Sequence, residues 1–198
     1  MSGVPSVFLR LAGCNLRCAF CDTEEALSGG NKYSLREVRE KILSLQGSRR
    51  NLVVTGGEPL LQAKALEVLL PEMLGRFSQV EVETNGTLPP LRVPGLRYNV
   101  SPKLSNSGEP FPKRIKEGIL KEFLELPSVF KFVIKDRSHL EEVLSLAERI
   151  GIPPHRIWLM PMARSRKELE EMALEVALLA LEYGFRYSDR LHLRLSLP

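Results

Sequence analysis

The chain has 198 residues, with 28 Lys and Arg against 24 Asp and Glu, a formal net charge of +4 and a pI near 9.0. That length supports one sizeable core; no run reaches the roughly 18–20 uninterrupted apolar residues of a membrane span, and no basic-then-apolar secretory signal opens the chain, so a soluble, cytoplasmic protein is expected. The basic residues are scattered, without like-charge blocks or aromatic-basic interleaving, which argues against nucleic-acid and membrane partners and for a solvated surface that also favours anionic small molecules.

"SVFLRLA" (6–12) predicts a strand that runs into the loop "GCNLRCAFCD" (13–22). A helix follows over 34–45, where Ser34 and Glu37 have the spacing of a capping box. "NLVVT" (51–55) is a buried strand entering the turn "GGEP", and "LLQAKALEVLLPEML" is a helix. "QVEVET" (79–84) and "RYNVS" (97–101) are strands, and 104–113 is loop by its Pro, Gly, Asn and Ser content. A helix near 116–125, the strand "VFKFVIK" (129–135), a helix over 139–150 opened by a box of Ser138 and Glu141, and the strand "RIWLM" (156–160) come next. A third box, Ser165 with Glu168, opens a long helix ending near Tyr183, and "LHLRLSLP" reads as a final strand or an extended tail.

Strands alternating with helices imply a mainly parallel α/β sheet with right-handed crossovers, either an incomplete β/α barrel or an open doubly wound sheet. The segments after Thr55, Thr84, Val100 and Met160 sit just past strand carboxyl ends, where both architectures assemble their sites.

All three cysteines, Cys14, Cys18 and Cys21, lie in that first loop. They cannot form a disulfide framework, and their spacing lets the thiolates converge on a metal centre. A structural zinc usually takes four protein ligands, and His139, His155 and His192 lie far along the chain in no ligand spacing. The spacing therefore favours an iron-sulfur cluster over zinc. Inert buried thiols are the remaining reading, opposed by Asn15, Arg17 and Asp22, which interrupt any apolar face. "TGGEP" (55–59) adds two glycines that let backbone approach a ligand closely, whereas "ETNG" (83–86) and "NVSPK" (99–103) are, on residues alone, a strand-end turn and a loop entry with a solvated lysine.

The pattern C-x3-C-x2-C with "GGEP" after the next strand resembles the radical S-adenosylmethionine (SAM) superfamily. The resemblance implies an incomplete, TIM-like β/α barrel over a single domain, 1–198, with Cys14, Cys18 and Cys21 holding a [4Fe-4S] cluster whose open iron binds S-adenosylmethionine. It also implies cofactor contacts from Phe20 beside the adenine, Gly57 at the methionyl group, Glu83, and Ser101, Pro102 and Lys103.

Together with "GVPSVFLRLAGCNLRCAFCDT" (3–23), "SPK" and the ending "RLHLRLSLP", these motifs resemble the 7-carboxy-7-deazaguanine synthases over nearly the whole chain, most specifically in Arg10 and "CDT". That family is a radical carbon-nitrogen lyase that contracts 6-carboxy-5,6,7,8-tetrahydropterin to 7-carboxy-7-deazaguanine with loss of ammonia, on the way to queuosine and archaeosine. The resemblance implies Mg2+ at Thr23, the substrate carboxylate at Arg10, the pterin at Thr55, and substrate-side positions at His192 and Pro198. It further implies an electron donor such as flavodoxin or ferredoxin, and a homodimer. Read as ordinary structure, Arg10 is a salt-bridge partner, Thr23 a helix cap and His192 a strand histidine. Family chains generally begin with a short strand and a "QGEG" segment, whereas this sequence starts at Met1 directly at "SGVPSVF", so the family's N-terminal strand segment is expected to be missing. The competing readings are an activating enzyme for a glycyl-radical protein and a non-catalytic, zinc-stabilised binding module.

Overall fold

The computed structural model describes residues 3–196. Its strands are β1 (Ser6–Leu11), β2 (Asn51–Gly56), β3 (Gln79–Thr84), β4 (Arg97–Val100), β5 (Ser128–Ile134), β6 (Ile157–Pro161) and β7 (Arg186–Tyr187). Between and after them run α1 (Leu35–Gln46), α2 (Ala63–Leu74), α3 (Phe111–Arg114), α4 (Glu117–Leu124), α5 (Arg137–Ile150), α6 (Arg166–Glu182) and α7 (Leu191–Leu195).

The strands form one seven-stranded sheet in chain order, β1 to β7, with every neighbouring pair parallel. A sheet that always steps the same way through right-handed crossovers carries its helices on one face, whereas a doubly wound sheet needs a reversal of strand order. Among the described residues β1 and β7 do not pair, so the sheet is open. This is the expected incomplete β/α barrel.

Alternate strand positions confirm the two faces, because successive side chains of a strand point opposite ways. Val7, Val54, Val82, Val100, Phe130 and Leu159 join one apolar core with Ile42 of α1, Met73 of α2, Phe123 of α4, Leu146 of α5 and Val176 of α6. The intervening residues face away from the helices and include the polar side chains Arg10, Thr55, Glu81, Glu83, Asn99 and Lys131. There Arg10 is opposite Thr55, and Glu83 is opposite Asn99. Since Val54 pairs with Val82, Thr55 and Glu83 come next in the same register, which sets Arg10, Thr55 and Glu83 on three successive strands at one level.

The helix starts follow local chemistry. In α1 the Ser34 hydroxyl accepts the Glu37 N–H and the Glu37 carboxylate accepts the Ser34 N–H, which satisfies two end donors reciprocally. In α6 only half of the box forms: Ser165 accepts the Glu168 N–H, while the Glu168 carboxylate takes the Arg164 N–H instead.

Three local expectations need correction, and one short strand is added. The Ser138 and Glu141 box is not what starts α5; Asp136 is its cap, accepting the Ser138 N–H at 3.0 Å and the Ser138 hydroxyl at 2.6 Å, a full negative charge at the positive end of the helix. The stretch 104–113 is not all loop, since Ser105–Ser107 makes a 3-10 turn and α3 begins at Phe111. β7 adds a strand too short to show a period of its own. "LHLRL" alternates like a strand but forms α7, because the buried Arg190 anchors its start and Arg194 reaches back 2.6 Å to Asp189.

Candidate active site at the carboxyl ends of the strands

The loop after β1 is built by close backbone contact. Gly57 N–H donates to Leu11 O at 3.0 Å, Glu58 N–H to Gly13 O at 2.8 Å, and Gly13 N–H to Ala26 O at 2.8 Å. A Cβ on Gly57 would stand 2.2 Å from Gly13 O, and one on Gly56, at φ +139°, 1.9 Å from Leu11 O. The Gly-Gly pair is therefore required by the packing of the β2 turn against the root of the cysteine loop, before any ligand is considered. Leu16 is buried within the loop, and its N–H points at Cys14 Sγ, 3.5 Å away.

A second layer ties this loop to the end of β3. Glu58, fully buried, accepts hydrogen bonds from Leu60 N–H at 2.9 Å, the Thr84 hydroxyl at 2.9 Å and Asn85 N–H at 2.7 Å. Burial pushes its carboxyl above the ordinary glutamate value, and the three donors hold it back only in part. Asn85 Nδ2 then donates to Asn15 Oδ1 at 2.9 Å, and Asn15 Nδ2 donates to the Thr87 hydroxyl at 2.8 Å. The "TNG" turn thus carries the cysteine loop.

All three thiols are free and partly buried. Burial pushes the Cys18 thiol above its ordinary value against the pull of Lys103, and Cys14 and Cys21 add to the rise. Lys103 Nζ donates to the Ser101 hydroxyl at 2.9 Å, Ser101 N–H donates to Thr84 O at 2.7 Å, Pro102 is buried, and Arg114 holds Lys103 O at 2.7 Å. The "SPK" segment is accordingly fixed with its ammonium directed into the field of the cysteine loop.

On the inner face the Thr55 hydroxyl donates to Glu83 at 3.2 Å, and Lys131 stands 3.5 Å from the other Glu83 oxygen. Thr23 precedes a 3-10 turn, Glu24–Ala26, without capping it by its side chain; its hydroxyl donates to Asp22 at 3.1 Å. Asp22 is held 2.5 Å from the buried Arg190, which also donates to Pro161 O at 3.0 Å. His192 enters the same neighbourhood: partial burial and the charges of Arg190 and Arg10 push its imidazole below the ordinary value, while Asp22 draws it up. A cleft of about 290 Å³ opens between the cysteine loop and the end of β6, bordered by Phe20, Asn106, Met162 and Arg164.

A family model for the radical SAM superfamily matches residues 9–162. The 7-carboxy-7-deazaguanine synthase of Hyperthermus butylicus is 37% identical over 206 residues, which span 100% of this chain and 87% of that protein. That of Pyrobaculum aerophilum is 40% identical, over 96% of this chain and 86% of its own length. The chain belongs to the radical SAM superfamily and, within it, to the 7-carboxy-7-deazaguanine synthase family. Among solved structures, QueE from Escherichia coli shares the fold with a TM-score of 0.72 at 23% identity, covering 95% of this chain and 86% of that one.

Radical SAM proteins carry a [4Fe-4S] cluster and S-adenosylmethionine, and the donor set suits the cluster. Three mutually repelling sulfurs in one loop are relieved by a cationic centre.

Of the residues expected at the site, the fold gathers Arg10, Thr55 and Glu83 on the inner face, Cys14, Cys18, Cys21, Phe20 and Thr23 on the loop, and Gly57, Ser101, Pro102 and Lys103 around its root. His192 joins them from α7, and Pro198 lies outside the described residues. Sequence reasoning missed Asn15, Glu58, Asn85, Asp22 and Arg190 as structural partners. Glu58 was signalled by its place in "GGEP", whereas no local pattern marks Arg190.

Proposed function

We propose that this chain makes 7-carboxy-7-deazaguanine from 6-carboxy-5,6,7,8-tetrahydropterin, releasing ammonia, in the supply of 7-deazapurines such as queuosine or archaeosine. The observation that carries this reading is the row Arg10, Thr55 and Glu83, three hydrogen-bonding side chains at one level of the inner face, on the strand that leads into the cysteine loop and the next two strands. A planar pterin presents a carboxylate to a guanidinium and ring N–H donors to a hydroxyl, which is the pairing Arg10 and Thr55 offer.

When bound, the cluster and S-adenosylmethionine supply a carbon radical able to take a hydrogen atom from an unactivated position. The chain's share is to bind and orient. Cys14, Cys18 and Cys21 hold the cluster, the Gly57 backbone and Lys103 face the methionyl group, and Ser101, stiffened by Pro102, serves the ribose. Phe20 borders the cleft that takes the adenine, and Glu83 serves the cofactor. Thr23, with Asp22 beside it, supplies hard oxygen donors suited to Mg2+. Arg10 fixes the substrate carboxylate, with His192 and Pro198 as further substrate contacts. Fixing the reacting carbon and excluding water is how such a site directs a radical to one product. Reduction by flavodoxin or ferredoxin, a homodimeric state and a cytoplasmic location complete the proposal; among the described residues no helix is long and apolar enough to cross a membrane.

The test is anaerobic incubation of the reconstituted protein with S-adenosylmethionine, Mg2+, a reductant and the carboxytetrahydropterin, followed by mass spectrometry. A new deazapurine is the expected product. Formation of 5′-deoxyadenosine without it would keep the radical chemistry and reject the substrate.

A further inference from the structure

Two arginines grip the outside of the cysteine loop and have no part in the assignments above. Arg17 Nη1 donates to Cys14 O at 2.7 Å and to Leu16 O at 2.9 Å. Arg164, 145 residues away from the loop position it contacts, reaches across from the end of β6 to donate to Ala19 O. The two guanidiniums thus bind the backbone on either side of Cys18, on the carbonyls of Cys14, Leu16 and Ala19. Each is locked by its own main chain: Arg17 N–H donates to Glu109, which Lys113 holds at 2.8 Å, and Arg164 N–H donates to Glu168 at 2.7 Å. Among the described residues the hydrogen bonds of both guanidinium groups go to main-chain carbonyls.

Among the described residues both guanidiniums bond only to neutral backbone, and the Arg17 charge is shared between the loop and Glu109, whose carboxyl it helps to hold down. Three thiolates around a cluster core of charge about +2 give a net charge of roughly −1, which becomes about −2 on one-electron reduction; fixed cations nearby favour the more negative state. A planar, multi-donor fork also holds a carbonyl-rich turn in a way that an ammonium cannot.

We propose that Arg17 and Arg164 are positioning residues for the iron-sulfur centre, clamping the outer rim of the cysteine loop in its ligating shape and favouring the cluster's reduced state. The inference rests on the cluster that membership of the superfamily brings, not on the pterin reading. Its test uses no pterin, so the two fail separately.

The measurement is the midpoint potential of the reconstituted cluster, followed by electron paramagnetic resonance, in Arg17→Gln, Arg164→Gln and the double variant, with Arg17→Lys and Arg164→Lys as charge-preserving controls. The Gln variants should shift to more negative potential, most in the double variant, and the Lys variants should stay near the parent. Potentials unchanged in the Gln variants, or equally shifted in the Lys variants, overturn the electrostatic role. The clamp is read separately on the cluster-free protein from the rate of thiol alkylation at Cys14, Cys18 and Cys21. It should rise several-fold in Gln and Lys variants alike, and an unchanged rate overturns the clamp even where a Gln variant takes up no cluster.

Discussion

Asp22 and Arg190, 168 residues apart, meet at 2.5 Å and join the residue after the last cysteine to the start of α7. The guanidinium is buried and also bonded to Pro161 O, so the pair fastens the cysteine loop, the end of β6 and the C-terminal helix at one point. Through it, His192 is brought beside Arg10 on the opposite edge of the open sheet.

This pair gives stability a specific acid dependence. Burial alone raises the Asp22 carboxyl, but the Arg190 guanidinium, the Thr23 hydroxyl and Lys103 outweigh it and hold the group below the ordinary 3.8. A carboxyl whose folded value is depressed binds fewer protons folded than unfolded; its contribution is complete above the ordinary value and is lost as pH falls through the folded one. Asp22→Asn should therefore melt below the parent near neutral pH, with the gap closing as pH drops under 3.8. Thermal melts across that range check it, and a gap that stays constant counts against the pair.

Gly57→Ala should disturb the cluster more than the fold. The new Cβ would lie 2.2 Å from Gly13 O and 2.8 Å from Ala26 O, both backbone atoms at the root of the loop, so the loop must shift. Iron content per chain after reconstitution should fall well below the parent's while the far-ultraviolet circular dichroism is kept. Full iron loading would mean that the turn yields elsewhere.

Replacing Glu58 by Ala leaves the Leu60 and Asn85 N–H groups and the Thr84 hydroxyl without their acceptor in a buried place. The expected loss is roughly 2–4 kcal/mol of unfolding free energy, from buried donors left unsatisfied. Urea titration of the cluster-free protein measures it, and a change under about 1 kcal/mol would show that the network relaxes onto other partners.

Arg10→Ala should act on substrate capture. Losing a charge-assisted hydrogen-bond pair to a carboxylate costs about 1.5–3 kcal/mol, so KM should rise by roughly 10- to 100-fold with kcat less affected. Steady-state kinetics decide; an unchanged KM removes Arg10 from the substrate.

Cys18→Ser should abolish cluster assembly and 5′-deoxyadenosine formation with the fold intact, since its thiol packs in a loop held by the bonds of Gly13, Asn15 and Arg17 as well. Visible absorption near about 400 nm after reconstitution reports it. A variant that keeps that absorption has another ligand at the third corner.

Much of the fold was legible because its signals are local. The Ser34 box opens α1 where predicted, and six of the strands follow from short apolar runs bounded by turns. The misreading at the C-terminal end has a distant origin: "LHLRL" carries a strand period, yet the segment sits beyond the last strand and is turned by Asp189, which holds Arg194, and by Arg190, whose partners Pro161 and Asp22 lie elsewhere in the fold. The site divides in the same way. Cysteine spacing and the Gly-Gly turn are contiguous patterns, but nothing near Asn15 announces Asn85, 70 positions on.

By itself the order of residues determined the strand-helix alternation, the thiol triplet and the turn that must be glycine, because periodicity, capping and ligand spacing act over a few residues. Tertiary structure alone decided that Arg10, Thr55 and Glu83 share a level, that Asp22 finds Arg190, and that two arginines close on the cysteine loop. Those relations depend on strand order and register in an open parallel sheet, which accumulate over the whole chain and leave no trace in any short stretch of it.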